Sequence, residues 1–315
     1  MNEQSATHNT PYNSTDLAWE EWGKRDPYFG VITNPKFRRD NLSAEAKAEF
    51  LESGRHHIEH FFQVIRHHVD PTFEPKRAMD FGCGVGRISI PLAAKVGEVV
   101  AVDVSPSMLQ EAQRNALETG IENMVCVQSD DDLSLLAGEF DFIHSSIVFQ
   151  HIPPSRGRVI FRELLKRLAP GGVCAVHFLY SKAQYAEFCG LPPPPLSNEV
   201  EETLKAVELA TSEPLSLRGD PPAPTTESSV CEDPPGEGAP PPGYSSEAPD
   251  PEMQMNTYHL NEIMFLIQRI GVSRMYLEFS DHGGELGAVL FFQSPSDPCG
   301  NTSSPNRRAT RPGEC

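Results

Sequence analysis

The sequence alternates between short apolar runs and segments with helical periodicity, and this alternation limits the possible folds more than any other feature. Runs of strand character lie at Arg77–Phe81, Val99–Val102, Val125–Gln128, Phe140–Ser145 and Val173–Tyr180. Helical stripes separate most of them, and one of these begins at Ser105-Pro106, an N-cap with a first-turn proline, and stops at Gly120. Because parallel neighbours need crossover connections, the alternation predicts a parallel sheet with helices on both faces.

Later in the chain, a helix around Leu260–Ile267 precedes two more strands, Met275–Phe279 and Ala288–Phe292, whose short turn predicts antiparallel pairing. Near the start, a helix from Ser43 to about Val69 and the aromatic stretch WEEWGKRDPYF are predicted to cap one end of the sheet. The predicted fold is therefore α/β: a Rossmann-like, doubly wound, mostly parallel seven-stranded sheet with an antiparallel final strand and an N-terminal helical cap.

Composition divides the 315 residues into one domain with appendages. Fifteen of the 29 prolines lie in residues 191–252, together with thirteen acidic and two basic residues, so this stretch holds −11 of the net charge of −18. We expect it to be a disordered insert, since it has too little apolar surface to offset the entropy of ordering, and a linker role is favoured over docking into an aromatic groove. The predicted organisation is an N-terminal aromatic cap segment (1–40), an α/β domain (41–190 and 253–293), the acidic insert (191–252) and a disordered tail (294–315).

Charge and cysteine content argue against several classes of function. An acidic chain without a basic stripe is poorly suited to a phosphate backbone, so no nucleic-acid partner is predicted. Apolar runs are far shorter than a membrane span and the start of the sequence has no apolar signal region, so we expect a cytoplasmic protein without a membrane partner. Seven scattered cysteines indicate neither a disulfide framework nor a zinc site, and His56 and His60 lack a third ligand, so no metal is predicted.

The turn after the first predicted strand carries the strongest functional signal. It reads Asp80-Phe81-Gly82-Cys83-Gly84-Val85-Gly86-Arg87, and its three glycines let the backbone approach a ligand at a helix N-terminus. The spacing G-x-G-x-G differs from the G-x-G-x-x-G of dinucleotide-binding turns, which argues against NAD. Asp103 ends the second strand 21 residues after Gly82, where a carboxylate can accept hydrogen bonds from both hydroxyls of a ribose.

With these residues the sequence resembles a known enzyme family. The segments MDFGCGVGRISIPLA, AVDVSPSMLQEAQRN, FDFIHSSIVFQHIPP and LLKRLAPGGVCAVHF are similar to the class I S-adenosylmethionine-dependent methyltransferases, and most similar to the small-molecule (type 11) enzymes related to ubiquinone biosynthesis. The resemblance covers about Arg77 to Tyr180. It implies a transferase that methylates an acceptor with S-adenosyl-L-methionine as its cofactor.

The resemblance also implies positions for the cofactor. Gly82, Cys83, Gly84 and Gly86 would pass beneath its methionine part, with Asp80 near the amino group and Ser145 on the methionyl side. Asp103 would hold the ribose and Val104 and Met108 would pack on the adenine. Asp130 or Asp131 would accept from the adenine amino group, and the sequence leaves open which of Asp130, Asp131 and Asp132 does so. Each residue also has a structural interpretation as a turn, cap or core residue, but their joint order favours the cofactor.

The acceptor side is predicted from chemistry. A hydroxyl acceptor needs a general base, and His151 follows the fourth strand at the sheet end where the methyl group should point. An equal alternative is that His151 only bonds a backbone carbonyl or forms the pocket wall. Residues predicted to contact the acceptor or to close over it are Trp19, Trp22, Tyr28, Phe149, Gln150 and Tyr180.

Three functions remain open at this level. The first is methylation of a small-molecule acceptor at O, N or C by in-line displacement. The second is a protein methyltransferase, since the [DN]-P-P-[YF] element typical of base methylation is absent after the fourth strand. The third is a non-catalytic cofactor-binding domain that acts through its Pro-rich insert. The sequence does not indicate an oligomeric state.

Overall fold

A computed structural model describes residues 11–183 and 249–296, with the side chains of residues 11–14 excepted. The helices and strands have the following bounds. The helices are α1 (Pro11–Arg25), α2 (Pro27–Val31), α3 (Ala44–His68), α4 (Ser89–Ala93), α5 (Pro106–Glu118), α6 (Pro154–Lys166) and α7 (Leu260–Arg269), and the strands are β1 (Arg77–Phe81), β2 (Glu98–Asp103), β3 (Met124–Gln128), β4 (Phe140–Ser145), β5 (Leu168–Lys182), β6 (Met275–Asp281) and β7 (Glu285–Gln293). Short 3₁₀ turns at Pro35–Phe37, Arg39–Asn41 and Phe149–His151 complete the described elements.

The strands form a seven-stranded sheet in the order β3-β2-β1-β4-β5-β7-β6. Strands β1 to β5 pair in parallel, whereas β7 is antiparallel to both β5 and β6. The predicted α/β fold with its antiparallel final strand is confirmed. The chain reverses its direction of winding between β1 and β4, and in such sheets this is the place where ligands bind, outside the carboxyl ends of the strands.

Alternation along the strands divides the core between the two faces of the sheet. Met79, Phe81 and Ile143 pack with the apolar sides of α6 and α7, while Ala78 and Phe142 pack with α3 and α4. Because successive side chains of a strand point to opposite faces, each strand supplies both cores from neighbouring positions. The sheet is therefore covered on both sides, as parallel sheets require.

The N-terminal region occupies two places. Helix α1 lies over the carboxyl end of the sheet, where Glu20 accepts hydrogen bonds from the Ser105 hydroxyl (2.8 Å) and from both the amide and the hydroxyl of Ser107 (3.1 and 2.7 Å) at the start of α5. Helix α3 instead packs on a face of the sheet, because its buried stripe, which includes Ile58 and Ile65, meets the apolar side chains of the central strands. The predicted cap thus consists of α1 and α2, and α3 belongs to the core.

Strand β5 begins earlier than the sequence predicts. The segment Ala169–Gly172 has the composition of a loop, yet it lies inside β5, which pairs with β4 from Leu168 onward. A register shift between Phe140 and Phe142 of β4 accommodates the extra residues, and Gly171 there has φ 76°. A bulge of this kind admits proline and a left-handed glycine inside a ladder.

The predicted disordered insert and tail lie outside the described residues, except at their edges. At the end of the insert, Asp250 pairs with Arg38, and the Pro249 carbonyl accepts a hydrogen bond from Arg25 at 2.8 Å. At the start of the tail, the Ser294 amide donates to the Gly172 carbonyl at 2.9 Å. Within residues 11–183 and 249–296, every helix is too short or too polar to cross a lipid bilayer.

The contact between α3 and the glycine turn gives a stability prediction. A Cβ at Gly54 would lie 1.8 Å from the Arg87 carbonyl oxygen, so Gly54→Ala forces the helix and the turn apart. We expect a loss of about 2 kcal/mol in the free energy of unfolding, measured by urea denaturation, although alanine is the better helix former by about 1 kcal/mol. The control is Ala48→Gly at an exposed position of the same helix, which measures the helix-propensity effect by itself. A stability gain in Gly54→Ala would contradict this packing.

Candidate functional site

The turn between β1 and α4 is built on left-handed glycines. Gly82, Gly84 and Gly86 have φ of 76°, 52° and 85°, a region that favours glycine. A Cβ at Gly82 would lie 2.2 Å from Val148, and one at Gly84 would lie 2.6 Å from Val31. The first two glycines line a cavity, whereas Gly86 faces Ile90 and Ala112 and closes the turn onto its helices.

The cavity lies at the carboxyl ends of β1, β2, β3 and β4, beneath α1 and α2. It holds about 1040 Å³ of empty space with its open mouth included. The sequence-predicted residues that it brings together are Trp19, Asp80, Gly82, Cys83, Gly84, Asp103, Val104, Met108, Asp130, Asp131 and His151. Residues from four loops and the cap therefore share one site.

Two aromatic residues that were predicted to contact the acceptor, Trp22 and Tyr28, pack under the cap and do not line the cavity. Trp22 is buried against Phe29 with its rings 5.7 Å apart. The Tyr28 hydroxyl lies 2.8 Å from both Glu111 and Asn115 of α5, so it fastens α2 to that helix. Both residues support the cap that bears Trp19.

The other predicted residues that do not line the cavity are turned away by the local backbone. Ser145 and Phe149 are fully buried, and Phe149 packs on Phe178 in the core with α6. Gln150 is buried with its amide 3.8 Å from the Met255 sulfur. Tyr180 is half-buried and packs on Phe279 of β6. Their predicted ligand contacts have no support from the cavity lining.

Asp103 connects the end of β2 with the glycine turn. Its Oδ2 accepts a hydrogen bond from the Gly84 amide at 2.8 Å, and its Oδ1 accepts one from the Ser105 amide at 2.9 Å. Burial raises the pKa of this carboxyl to about 6, and the backbone hydrogen bonds oppose that shift. As a cavity wall, the carboxylate retains acceptor capacity for the hydroxyls of a ligand.

Asp80 and Arg87 place opposite charges around the glycine turn. Asp80 is buried, and its carboxylate accepts hydrogen bonds from Ser89 at 2.5 Å and from His144 at 2.8 Å. Arg87 lines the same cavity, and its buried Nε has no hydrogen-bond partner among residues 11–183 and 249–296. An amino group and a carboxylate of one ligand would match this pair of charges.

Sequence reasoning missed Arg87 and His144. Arg87 directly follows the last glycine of the turn, so the turn itself carried the signal. His144 is paired in register with Asp80 across β1 and β4, and only the pairing of the strands reveals this. Both residues line the cavity.

The acidic residues after β3 have separate partners. Asp130 accepts from the Ser134 amide at 2.8 Å, and its hydrogen bonds with Ser134 lower its pKa. Asp131 binds Arg156, which also pairs with Asp16 of α1 at 2.6 Å. Asp16 and Arg156 were not predicted, and they join the cap to the rim of the cavity through a mostly buried guanidinium.

His151 faces the cavity in a defined tautomer. Its Nδ1 lies 2.8 Å from the carbonyl oxygen of Gln254, and because a carbonyl only accepts, Nδ1 carries the hydrogen. Burial lowers the pKa of the imidazole, which favours its neutral form with an unprotonated Nε2. Trp19 of the cap packs against this ring edge-on, with centroids 4.9 Å apart.

Taken together, the winding reversal, the glycine turn and an acid at the end of β2 define a cofactor-binding α/β domain. Residues 78–172 match a family described as a methyltransferase domain. In this segment the chain is similar to the class I S-adenosylmethionine-dependent methyltransferases.

Individual relatives cover different parts of the chain. A ubiquinone biosynthesis O-methyltransferase of Xanthomonas axonopodis pv. citri (strain 306) is 31% identical over 137 residues, which are 42% of this chain and 56% of that protein. An uncharacterized RNA methyltransferase of Thermosynechococcus vestitus is 34% identical over 88 residues, 27% of this chain and 19% of that protein. The chain thus spans about half the length, or less, of these curated relatives.

Among solved structures, the magnesium protoporphyrin IX methyltransferase of Synechocystis PCC 6803 with bound S-adenosylmethionine is similar to this chain. The two are 15% identical with a TM-score of 0.49, and the match covers 90% of this chain and 97% of the other.

The raised pKa of Asp103 predicts that cofactor affinity depends on pH. Asp103 is the predicted ribose ligand, and a protonated carboxyl loses acceptor capacity, so the affinity for S-adenosylhomocysteine should fall as pH drops through about 6. Below that value we expect about a tenfold weaker Kd per pH unit, measured by calorimetry, because one proton must be released for binding. A constant Kd between pH 7.5 and pH 5, with circular dichroism showing a folded protein, would contradict the role of Asp103.

Proposed function

We propose that this protein transfers the methyl group of S-adenosylmethionine to a small-molecule acceptor, with His151 as the general base. The observation that carries this proposal is that His151 lines the same cavity as the glycine turn while its Nδ1 donates to the Gln254 carbonyl, which leaves Nε2 as the basic nitrogen of the neutral ring. The cofactor supplies an electrophilic methyl group on a sulfonium. The residues around it have to bind the cofactor and the acceptor, align them and exclude water.

The cavity lining fits the cofactor's two ends. Gly82 and Gly84 leave room that a Cβ would fill, and Asp80 and Arg87 offer complementary charges to a methionine ammonium and carboxylate. Asp103 would accept from the ribose, with the adenine near Met108. Asp130 and Asp131 both remain candidates for the adenine amino group.

Proton transfer completes the chemistry on the acceptor side. As an acceptor oxygen forms its bond to the methyl carbon, the carbon–sulfur bond breaks and its electron pair stays on sulfur. The hydroxyl proton would pass to Nε2 of His151, while Nδ1 keeps its hydrogen and donates it to the Gln254 carbonyl, which stabilises the imidazolium. Trp19 covers this ring and would help to keep the site dry.

The electrostatics of the cavity favour a small acceptor without phosphates. Among the described residues, its lining contains five aspartates against two arginines. Such a wall repels a polyanion, and Thr15, Asp16 and Trp19 of α1 line one side of the cavity. The ubiquinone-pathway relative provides a further parallel, since its name assigns it an O-methyl transfer.

Cofactor binding is tested by calorimetry with S-adenosylhomocysteine on the wild type and on Asp103→Ala. Loss of the ribose acceptor should cost roughly 2–4 kcal/mol, a thirty- to thousandfold weaker Kd. Asp132→Ala is the matched control, because this exposed acid of the neighbouring loop lies outside the cavity. No binding by the folded wild type would overturn the proposal and favour an interaction module.

The acceptor is sought by incubating the protein with methyl-labelled S-adenosylmethionine and panels of phenols, catechols, amines, peptides and RNA. For a hydroxyl acceptor, His151→Ala should lower kcat by about 10²- to 10⁴-fold with the cofactor Kd unchanged. The exposed His56→Ala serves as the control. Transfer only to peptides or RNA would contradict a small-molecule acceptor, and an unchanged kcat in His151→Ala would remove this residue from the reaction.

A further inference from the structure

A row of polar side chains interrupts the apolar interface between the sheet and α3. Asp80 of β1 and His144 of β4 are paired in register, and both point to the face that Ala78 and Phe142 cover with apolar groups. Asp80 is 2% and His144 is 1% exposed. Buried polar groups of this kind are costly unless each has a hydrogen-bond partner, so their arrangement needs an explanation.

The hydrogen bonds form a chain that leads from the cavity to α3. Nδ1 of His144 lies 2.8 Å from Oδ1 of Asp80, and Nε2 of His144 lies 2.9 Å from Nε2 of His57 on α3. A carboxylate accepts, so Nδ1 of His144 carries a hydrogen. With His144 neutral, its Nε2 accepts a hydrogen from Nε2 of His57. Asp80 and His144 line the cavity, and His57 stands behind them.

His57 is well placed to remain a neutral donor. Burial and the adjacent His144 lower its pKa to about 2, with smaller contributions from Arg87, His60 and His177. Its ring also packs on Phe61 with centroids 4.0 Å apart, which holds the donor in place. The same chain therefore orients His144 and holds Asp80 from the side opposite to the ligand.

The charges that face this chain come from several elements. Arg87 follows the glycine turn, His177 lies on β5, and Asp103 at the end of β2 acts on Asp80 across the turn. His60 on α3 is 2.8 Å from Glu278 of β6, which directs its ring to the surface. Arg87 and Asp103 therefore face Asp80 with opposite charges.

We propose that His144 and His57 are positioning residues that direct the Asp80 carboxylate at the ammonium group of the bound cofactor, because His144 holds the carboxylate from behind and His57 holds His144. This inference rests on the proposed function, because it assigns the ammonium to Asp80.

Two substitutions of His57 distinguish positioning through a hydrogen bond from simple packing. His57→Leu removes the hydrogen-bond donor to Nε2 of His144, so the imidazole is no longer held from the side of α3. We expect about tenfold weaker binding of S-adenosylhomocysteine at pH 8, from the loss of one buried hydrogen bond. His57→Gln retains an amide donor that does not titrate, so its Kd at pH 8 should stay within about threefold of the wild type.

The controls separate the effect of the His57 hydrogen bond from the titration of Asp103 and from changes at the surface of α3. Asp103 is present in every variant, so its own titration cancels in the comparison. His60→Gln alters the neighbouring surface histidine of the same helix and should leave the Kd unchanged. Equal weakening in His57→Leu and His57→Gln, or wild-type binding by His57→Leu, would overturn the proposal.

Imidazole ¹⁵N spectra of the ligand-free protein test the same chain without any ligand. At pH 8 they should show His144 protonated on Nδ1 and unprotonated on Nε2. The resonances are assigned by comparison with the His57→Gln and His144→Asn variants. A doubly protonated His144 in the wild type at pH 8 would overturn the proposal. If the wild type shows the expected tautomer but binds no S-adenosylhomocysteine, the proposed function fails while the hydrogen-bonded chain stands.

Discussion

The site depends on the carboxylate of Asp103, which binds two backbone amides from different loops. One amide belongs to Gly84 in the turn after β1, and the other belongs to Ser105 at the start of α5. These hydrogen bonds hold neighbouring strand ends at a fixed separation, and the glycine turn adopts its left-handed conformation against them. Burial of the carboxylate at this junction raises its pKa to about 6, although the two hydrogen bonds to backbone amides oppose that shift.

The cap is attached to this frame by polar contacts at both of its edges. Glu20 accepts hydrogen bonds from the first residues of α5, and Asp16 pairs with Arg156 at the start of α6. Helix N-termini carry unpaired amides and a positive dipole, so acidic side chains of α1 are favoured there. Arg156 adds Asp131 to the same pairing, so the closure of the cap is coupled to the loop after β3. With the cap attached at both edges by these contacts, Trp19 of α1 packs on His151.

Prediction from the sequence succeeded where local pattern decides the outcome. The bounds predicted for β1 and β4 agree with the structure, and the N-cap of α5 is Ser105, as its sequence indicates. Predictions that relied on nearness in sequence were less complete. Ser145 and Phe149 flank the correct strand end, yet the pleat and the 3₁₀ turn after it direct both side chains into the core. His144, one position earlier, faces Asp80, because strand alternation turned the neighbouring residue toward the cavity.

The sequence by itself determined the α/β class, the glycine turn and the acids that follow β2 and β3, since these depend on residue type, periodicity and short-range spacing. Tertiary structure decided which polar groups meet: Arg156 with Asp16, 140 residues apart, and His144 with His57, 87 residues apart. It also decided the tautomer of His151 through a carbonyl that lies beyond the insert. Contacts across such separations depend on strand order and helix placement, and no local pattern of the chain encodes these pairings.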